Sequence, residues 1–521
     1  MPNCRWLAPL VALLVFTGSP ARAGDAPAPP ARAGDAPASP ARPNIVFILT
    51  DDLSMDLLPY MPNVRAMEQR GLSFSHYFVS DSLCCPSRAS IFTGNLPHDT
   101  RVFSNTGSGG GFQKFHARAE EQNTFAVAMQ KAGYRTALMG KYLNGYLQLP
   151  RSARIPHNYV PPGWSDWDVA GWGYREYHYV LNQSGGLRYY GGKPADYLTN
   201  VLSTKAVNFI DGSAGTNTPF FLEVATFAPH SPYTPARQDL GRFHGLRAPQ
   251  PPSFDRLPAN APRWLARHRR LSRTQLRTIN RVFRRRVQSV QAVDRLVGQI
   301  ESTLSADGLA DDTYLVFSSD NGLHAGQYRL MPGKLTAFDS DIRVPLIVDG
   351  PGVAAGARTT AISENIDLAE TFAAIGGTSL SGDGHSLTGL FSGVPPVDWR
   401  TAALVEHHGP HLRGSDPDFQ QPASGKPPTY EAMRTAWSVY VEYADGEREF
   451  YDLQNDPFEL DNLAGQLTGP TLTELHEALL AMEGCHGDQS CWAAMGGGGH
   501  ALDLRIRIRK LGHITDLRHR H

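Results

Sequence analysis

The sequence predicts an α/β fold, a large central mostly parallel sheet flanked by helices, with a smaller C-terminal α+β subdomain containing an antiparallel sheet. Three observations predict it. Short apolar runs without alternation mark strands buried on both faces. Helical segments fall between those runs, as parallel strands require. Beyond about residue 400 the apolar pattern breaks into short alternating pieces separated by turn residues.

The expected strands are Ile45 to Leu49, Thr136 to Met139, Phe220 to Ala225, Tyr314 to Phe317 and Val344 to Val348. The expected helices run from Thr124 to Ala132, Val287 to Leu304 and Ile366 to Ala374. Asp51-Asp52, Gly140-Lys141, His230 and Asp320-Asn321 each follow the carboxyl end of a run. Open α/β sheets bind ligands at that edge, so distant segments can share one site. In the later part, Ala402 to Glu406, Trp437 to Glu442 and Glu449 to Asp452 read as strands, with a turn over Ala444 to Glu447 and a helix from Pro470 to Met482. Leu502, Leu504, Ile506 and Ile508 alternate with charged residues and suggest an edge strand, while Gly512 to His521 reads as a tail without fixed structure.

The ends and composition set the compartment. Arg5, the apolar Leu7 to Phe16 and the small-x-small Ala21-Arg22-Ala23 form an export signal over residues 1–23, too short to span a bilayer. An Ala/Pro-rich linker over 24–42 repeats itself and offers a second cleavage site at Ala31-Arg32-Ala33. A catalytic domain over 43–400, a C-terminal subdomain over 401–495 and a basic His/Arg-rich tail over 496–521 follow. The expected location is secreted, without stable membrane insertion. The formal charge of −1 argues against a general polyanion binder, and no nucleic-acid partner is expected. Cys4 leaves with the signal, while Cys485 and Cys491 enclose a short loop and are expected to pair in an oxidising compartment. The Arg-rich stretch from Arg263 to Arg286 reads as a helix with a solvated charged face; a polyanion-binding surface is the rival reading.

The chemistry lies around Cys84. Asp51, Asp52, Asp320 and Asn321 offer hard oxygen ligands suited to Ca²⁺ or Mg²⁺, whereas a thiolate is a soft ligand. If these segments meet at one metal, Cys84 does not act as a thiol. Cys85 reads as a small buried apolar side chain. The run Cys84-Cys85-Pro86-Ser87-Arg88 with Thr93-Gly94 resembles the sulfatase family, in which that cysteine is oxidised to formylglycine. The resemblance runs from Pro43 to about Leu463 and includes Tyr451 to Leu463.

The resemblance implies a sulfuric ester hydrolase in which one hydroxyl of the hydrated aldehyde attacks sulfur and the other then drives expulsion of sulfate. Arg88, Lys141, His230 and Lys334 match the family's catalytic cations, with Lys141, His230 and Lys334 on the sulfate and His324 as a further substrate contact. Asp51, Asp52, residue 84, Asp320 and Asn321 match its metal set. Calcium is the implied cofactor, with magnesium open, and a formylglycine-generating enzyme is the implied maturation partner. Leu143 stands where many sulfatases carry a histidine, so the base for the second step is open, with His324 and His98 as candidates. Lys141-Tyr142-Leu143-Asn144, the paired cysteines and Ser318 with Asp320 to His324 resemble most closely N-acetylglucosamine-6-sulfatase-like and glycosaminoglycan sulfatases. The expected substrate is a sulfated sugar, with aryl sulfates as artificial ones. His407, His408 and His411 are subsite candidates. The rivals are a phosphonate monoester or phosphodiester hydrolase of the same superfamily and a noncatalytic sulfated-glycan-binding protein.

Overall fold

A computed structural model describes residues 42–148, 155–409 and 416–499, together with the backbone of Ile506–Lys510 and His513–Leu517. The expected export signal, the linker up to residue 41 and His411 lie outside the described residues.

A ten-stranded sheet organises the chain, in the order Ala357–Thr359, Leu72–Phe74, Leu346–Asp349, Thr313–Ser319, Asn44–Thr50, Phe220–Ala225, Arg135–Lys141, Asp166–Ala170, Tyr179–Gln183 and Gly186–Tyr190. The five strands from Thr313–Ser319 to Asp166–Ala170 are mutually parallel. Leu346–Asp349 pairs antiparallel on both sides, as does Tyr179–Gln183. Asn44–Thr50 shows why the central runs do not alternate. Ile45, Phe47 and Leu49 enter one core layer, while Val46 and Ile48 enter the other. Successive side chains point to opposite faces, so burial on both sides makes every position apolar.

One helix covers much of the second face. Arg273–Ala306 buries Ile279, Phe283, Val287, Val290, Leu296 and Ile300 at helical spacing. Its start is set by Ser272, whose side chain accepts from the Gln275 N–H while Gln275 returns a bond, a capping box. Phe125–Lys131 and Asp367–Ile375 form the other expected helices within a residue of each predicted end.

The second sheet is an antiparallel meander of Ala402–His407, Tyr430–Thr435, Ser438–Tyr443 and Arg448–Asp452. The strand Tyr430–Thr435 has no counterpart among the sequence expectations, because charged Glu431 and Arg434 obscure its pattern. Leu404, Met433, Tyr440 and Phe450 pack under the Gly469–Glu483 helix, while Val405, Ala432, Val439 and Val441 join the main core. The tail differs from expectation: Ile506–Lys510 pairs antiparallel with His513–Leu517, so the piece expected to lack structure supplies a strand. Residues from Arg42 onward form one compact unit.

Candidate active site

The strand ends converge as the topology dictates. Asn44–Thr50 delivers Asp51 and Asp52, Thr313–Ser319 delivers Asp320 and Asn321, and Lys141 is the last residue of its strand. All of these side chains are buried. Asp52 adopts φ +63°, a left-handed conformation that aspartate tolerates better than most residues. Gly140 has φ +112°, and a Cβ there would stand 1.9 Å from the Ala225 carbonyl oxygen. Only glycine allows these strands to approach just before Lys141.

Cys84 opens the helix Cys84–Thr93, in which every residue is buried. Pro86 lies in its first turn, where the missing N–H leaves no bond unmade. Arg88 therefore lies one turn beyond residue 84. Its Nε donates to Asp320 Oδ2 at 2.8 Å and its Nη1 to the Lys141 carbonyl at 3.2 Å.

The polar groups interlock around residue 84. The thiol donates to Asp51 Oδ1 at 3.1 Å, and Lys334 Nζ lies 2.9 Å from Sγ. Lys141 Nζ donates to Asp51 Oδ2 at 2.6 Å, and Lys334 Nζ to Asp52 Oδ1 at 2.6 Å. Asp52 N–H donates to Asp320 Oδ1 at 3.1 Å, and Asn321 Nδ2 to Asp52 Oδ1 at 2.7 Å. His230 Nε2 lies 3.6 Å from Asp52 Oδ2. Tyr174 stacks near both cations, 5.1 Å from Lys141 Nζ and 4.6 Å from the His230 ring.

Burial and charge act together on titration. Burial lifts the Cys84 thiol well above its ordinary range, reinforced by Asp320, Asp418 and Asp51. A thiolate nucleophile is thus disfavoured. Burial and Asp320 push Asp51 up to about 6 against Lys141, His230 and Arg88. Burial alone would lower His230, but Asp52, Asp418 and Asp51 more than offset it and hold the imidazolium up to about 9.

The donor set fits a hard divalent cation. Carboxylate oxygens of Asp51 and Asp52 lie within 4.8 Å of each other, of the Cys84 sulfur and of a His230 ring nitrogen. Asn321 Oδ1 is buried without a hydrogen-bond partner, an oxygen whose desolvation a cation would offset.

Asp418 stands in the site although the sequence did not single it out. Its Oδ1 accepts from His230 Nε2 at 2.6 Å and lies 2.7 Å from Lys334 Nζ. Its Oδ2 accepts from Asn105 Nδ2, and Asn105 Oδ1 accepts the Cys85 N–H at 2.9 Å. The only signal in the sequence is two carboxylates in a loop, Asp416-Pro417-Asp418. Arg286 was also missed in this role. It belongs to the stretch expected as a solvated face, yet it is buried and its Nη2 donates to the Asp52 carbonyl.

Other expected residues stand apart. His324 has Nδ1 on Asp341 at 2.9 Å and Nε2 on the Ser424 carbonyl at 3.0 Å, leaving no ring nitrogen for substrate. His98 is likewise engaged, by Glu406 at 3.0 Å and the Cys485 carbonyl at 2.8 Å. Neither has a nitrogen free to serve as the base. His407 is buried 3.7 Å from Asp81, and the His408 ring packs 3.8 Å from Phe103. Cys485 and Cys491 are bonded, with S–S 2.01 Å, and Cys85 is buried in the core.

Comparison with known proteins identifies this architecture. Residues 43–378 match the sulfatase family model, and residues 326–483 match the model for the N-sulphoglucosamine sulphohydrolase C-terminal region. N-acetylglucosamine-6-sulfatase of Homo sapiens is 32% identical over 505 residues, covering 91% of this chain and 91% of that protein. The extracellular sulfatase SULF-1 homolog of Drosophila melanogaster is 33% identical, covering 70% of this chain and 33% of that protein. A protein solved with its substrate D-glucosamine-2-N,6-O-disulfate has the same fold, with TM-score 0.69, 23% identity and coverage of 85% of this chain and 97% of that chain. So does phosphonate monoester hydrolase from Silicibacter pomeroyi, with TM-score 0.66, 22% identity and coverage of 91% and 99%. By sequence over residues 43–378, by fold and by the convergence of strand-end carboxylates on residue 84, the chain belongs to the sulfatase family.

Proposed function

We propose that this sulfuric ester hydrolase cleaves sulfate monoesters of a sulfated sugar, with residue 84 acting as formylglycine and Ca²⁺ as the metal. The observation that carries the reading is the contact of Cys84 with Asp51 and Lys334 in a buried site of matched charges. Asp51, Asp52, Asp320 and Asp418 face Arg88, Lys141, Lys334 and protonated His230, four charges against four. A divalent cation added to that balance leaves the site net positive, as an anionic ester requires.

Asp51, Asp52, Asp320 and Asn321 would hold the metal, with the oxygen that replaces Cys84 Sγ beside them. When bound, the cation would neutralise sulfate oxygens and favour the hydrated form at residue 84. Lys141 and Lys334 supply charge for the sulfate, and His230 holds the proton needed by the departing alcohol oxygen. Asp418 orients His230 and Lys334. Arg88 anchors Asp320 and the end of the Lys141 strand. Maturation by a formylglycine-generating enzyme and secretion through the signal at residues 1–23 belong to the same reading. Relatives named extracellular sulfatases support it, and among the described residues no helix is long and apolar enough to cross a membrane.

Peptide mass spectrometry across residue 84 tests the nucleophile: conversion of thiol to aldehyde lowers the mass, and an intact thiol in active enzyme refutes it. Phosphonate and phosphodiester hydrolysis is the second reading, supported by the shared fold of phosphonate monoester hydrolases. Faster turnover of a phosphodiester than of a sulfate ester would favour it.

A further inference from the structure

A cleft of about 750 Å³ opens on the protein. Trp264, Arg267, Arg269, Arg270, Arg329 and Lys426 line it. Among the described residues, none of these five cations has a carboxylate within 4.0 Å. Arg329 reaches only main-chain carbonyls, of His268 at 3.3 Å and Asp255 at 3.5 Å, and Lys426 Nζ sits 4.5 Å over the Phe419 ring. Nearby Arg263, by contrast, pairs with both Asp445 and Glu447 at 3.2 Å. In a chain with 49 basic and 50 acidic residues, five cations that line one cleft with no described carboxylate within 4.0 Å form a local excess of positive charge that a bound anion would offset.

The cleft is joined to the active site by one short piece of chain. Asp418 touches His230 and Lys334, and eight residues later Lys426 lines the cleft. Fully extended, eight residues span at most about 29 Å. Between them, the Ala423 carbonyl accepts from Met331 N–H at 2.8 Å, and the Ser424 carbonyl from His324. The half-buried Trp264 indole offers a flat apolar face among the cations, which suits a sugar ring carrying charged substituents.

We propose that this cleft is a binding site for the anionic groups of a sulfated polysaccharide, a second contact for the polymer whose ester is cleaved at residue 84. Its link to catalysis rests on the function proposed above; its binding chemistry does not. The formal net charge of −1, which argues against a general polyanion binder, is an average that conceals this local concentration.

The test uses the full exported protein and heparin as probe, titrated at low and physiological salt. A variant with Arg267→Ser, Arg269→Ser, Arg270→Ser and Lys426→Ser should bind heparin about ten- to a hundredfold more weakly, with a shallower salt dependence. Its turnover of a small aryl sulfate should be unchanged, because none of the four side chains touches the catalytic groups. A single Arg269→Glu variant should weaken heparin binding in the same direction should the quadruple variant fold poorly. Cys84→Ser should lose aryl sulfate turnover and keep heparin binding, so failure of the enzyme reading is seen separately. Unchanged heparin affinity in the folded variants overturns the proposal. So does tighter wild-type binding to RNA or to phosphatidylserine vesicles than to heparin at equal salt.

Discussion

Replacing Asp418 removes one carboxylate from two buried cations at once. Its Oδ1 lies 2.6 Å from His230 Nε2 and 2.7 Å from Lys334 Nζ, and the residue is 3% exposed. Breaking such a buried pair by deleting one partner costs about 3–5 kcal/mol, chiefly from the charge left uncompensated. The compact unit from Arg42 to His521 has 480 residues, and at about 2.1 cal/mol/K per residue its unfolding entropy is about 1 kcal/mol/K. Asp418→Ala should therefore lower Tm by about 3–5 °C. Loss of orientation at His230 and Lys334 should also lower kcat/KM for an aryl sulfate by about a hundredfold, the equivalent of about 2.7 kcal/mol. Asp418→Asn keeps the shape and the Asn105 contact region but removes the charge, so it should recover part of the Tm loss and little of the activity. Thermal unfolding and steady-state kinetics of both variants decide the matter. Wild-type kcat/KM in a folded Asp418→Ala protein would show that the carboxylate does not position the catalytic cations.

Gly140→Ala should abolish activity, since its Cβ would meet the Ala225 carbonyl oxygen at 1.9 Å and displace Lys141; an active, correctly folded variant would contradict the close approach. Chelation of divalent metal should suppress turnover, with Ca²⁺ restoring it better than Mg²⁺; activity indifferent to chelator would contradict the metal assignment. Stability should peak near pH 5 and fall toward pH 9. Burial raises Glu176 and Glu449 to about 7 and Glu223 to about 8, so the stability they contribute is present below about pH 4.5 and is lost as pH rises through those values. At the acid end Asp339, whose burial is outweighed by Arg434 and Arg343, is held near about 2, and its contribution is lost as pH falls toward that value. A Tm that rises from pH 5 to pH 8 would refute this sign. Cys485→Ser should cost about 2 kcal/mol, from a closed loop with a sequence separation of 6, without altering turnover; a catalytic defect at unchanged Tm would be the wrong outcome.

Much of this protein is legible residue by residue. Doubly buried strands require unbroken apolar runs, and the carboxyl ends of those runs are where Asp51, Lys141, His230 and Asp320 stand. A proline tolerated in a helix's first turn puts Arg88 one turn from residue 84. These features are local, because period and spacing are properties of contiguous chain. What only tertiary structure decided is which polar groups face one another. Nothing near Asp418 announces that it meets His230, 188 positions away. Arg286 shares a helix with solvated arginines and is buried because that helix lies across the loop holding Asp52. His324 and His98, eligible by residue type, are engaged by Asp341 and Glu406 instead. Burial makes each such pairing obligatory, since an unpartnered polar group costs more than the bond is worth, and the partner is chosen by chain crossings that no short window of residues contains.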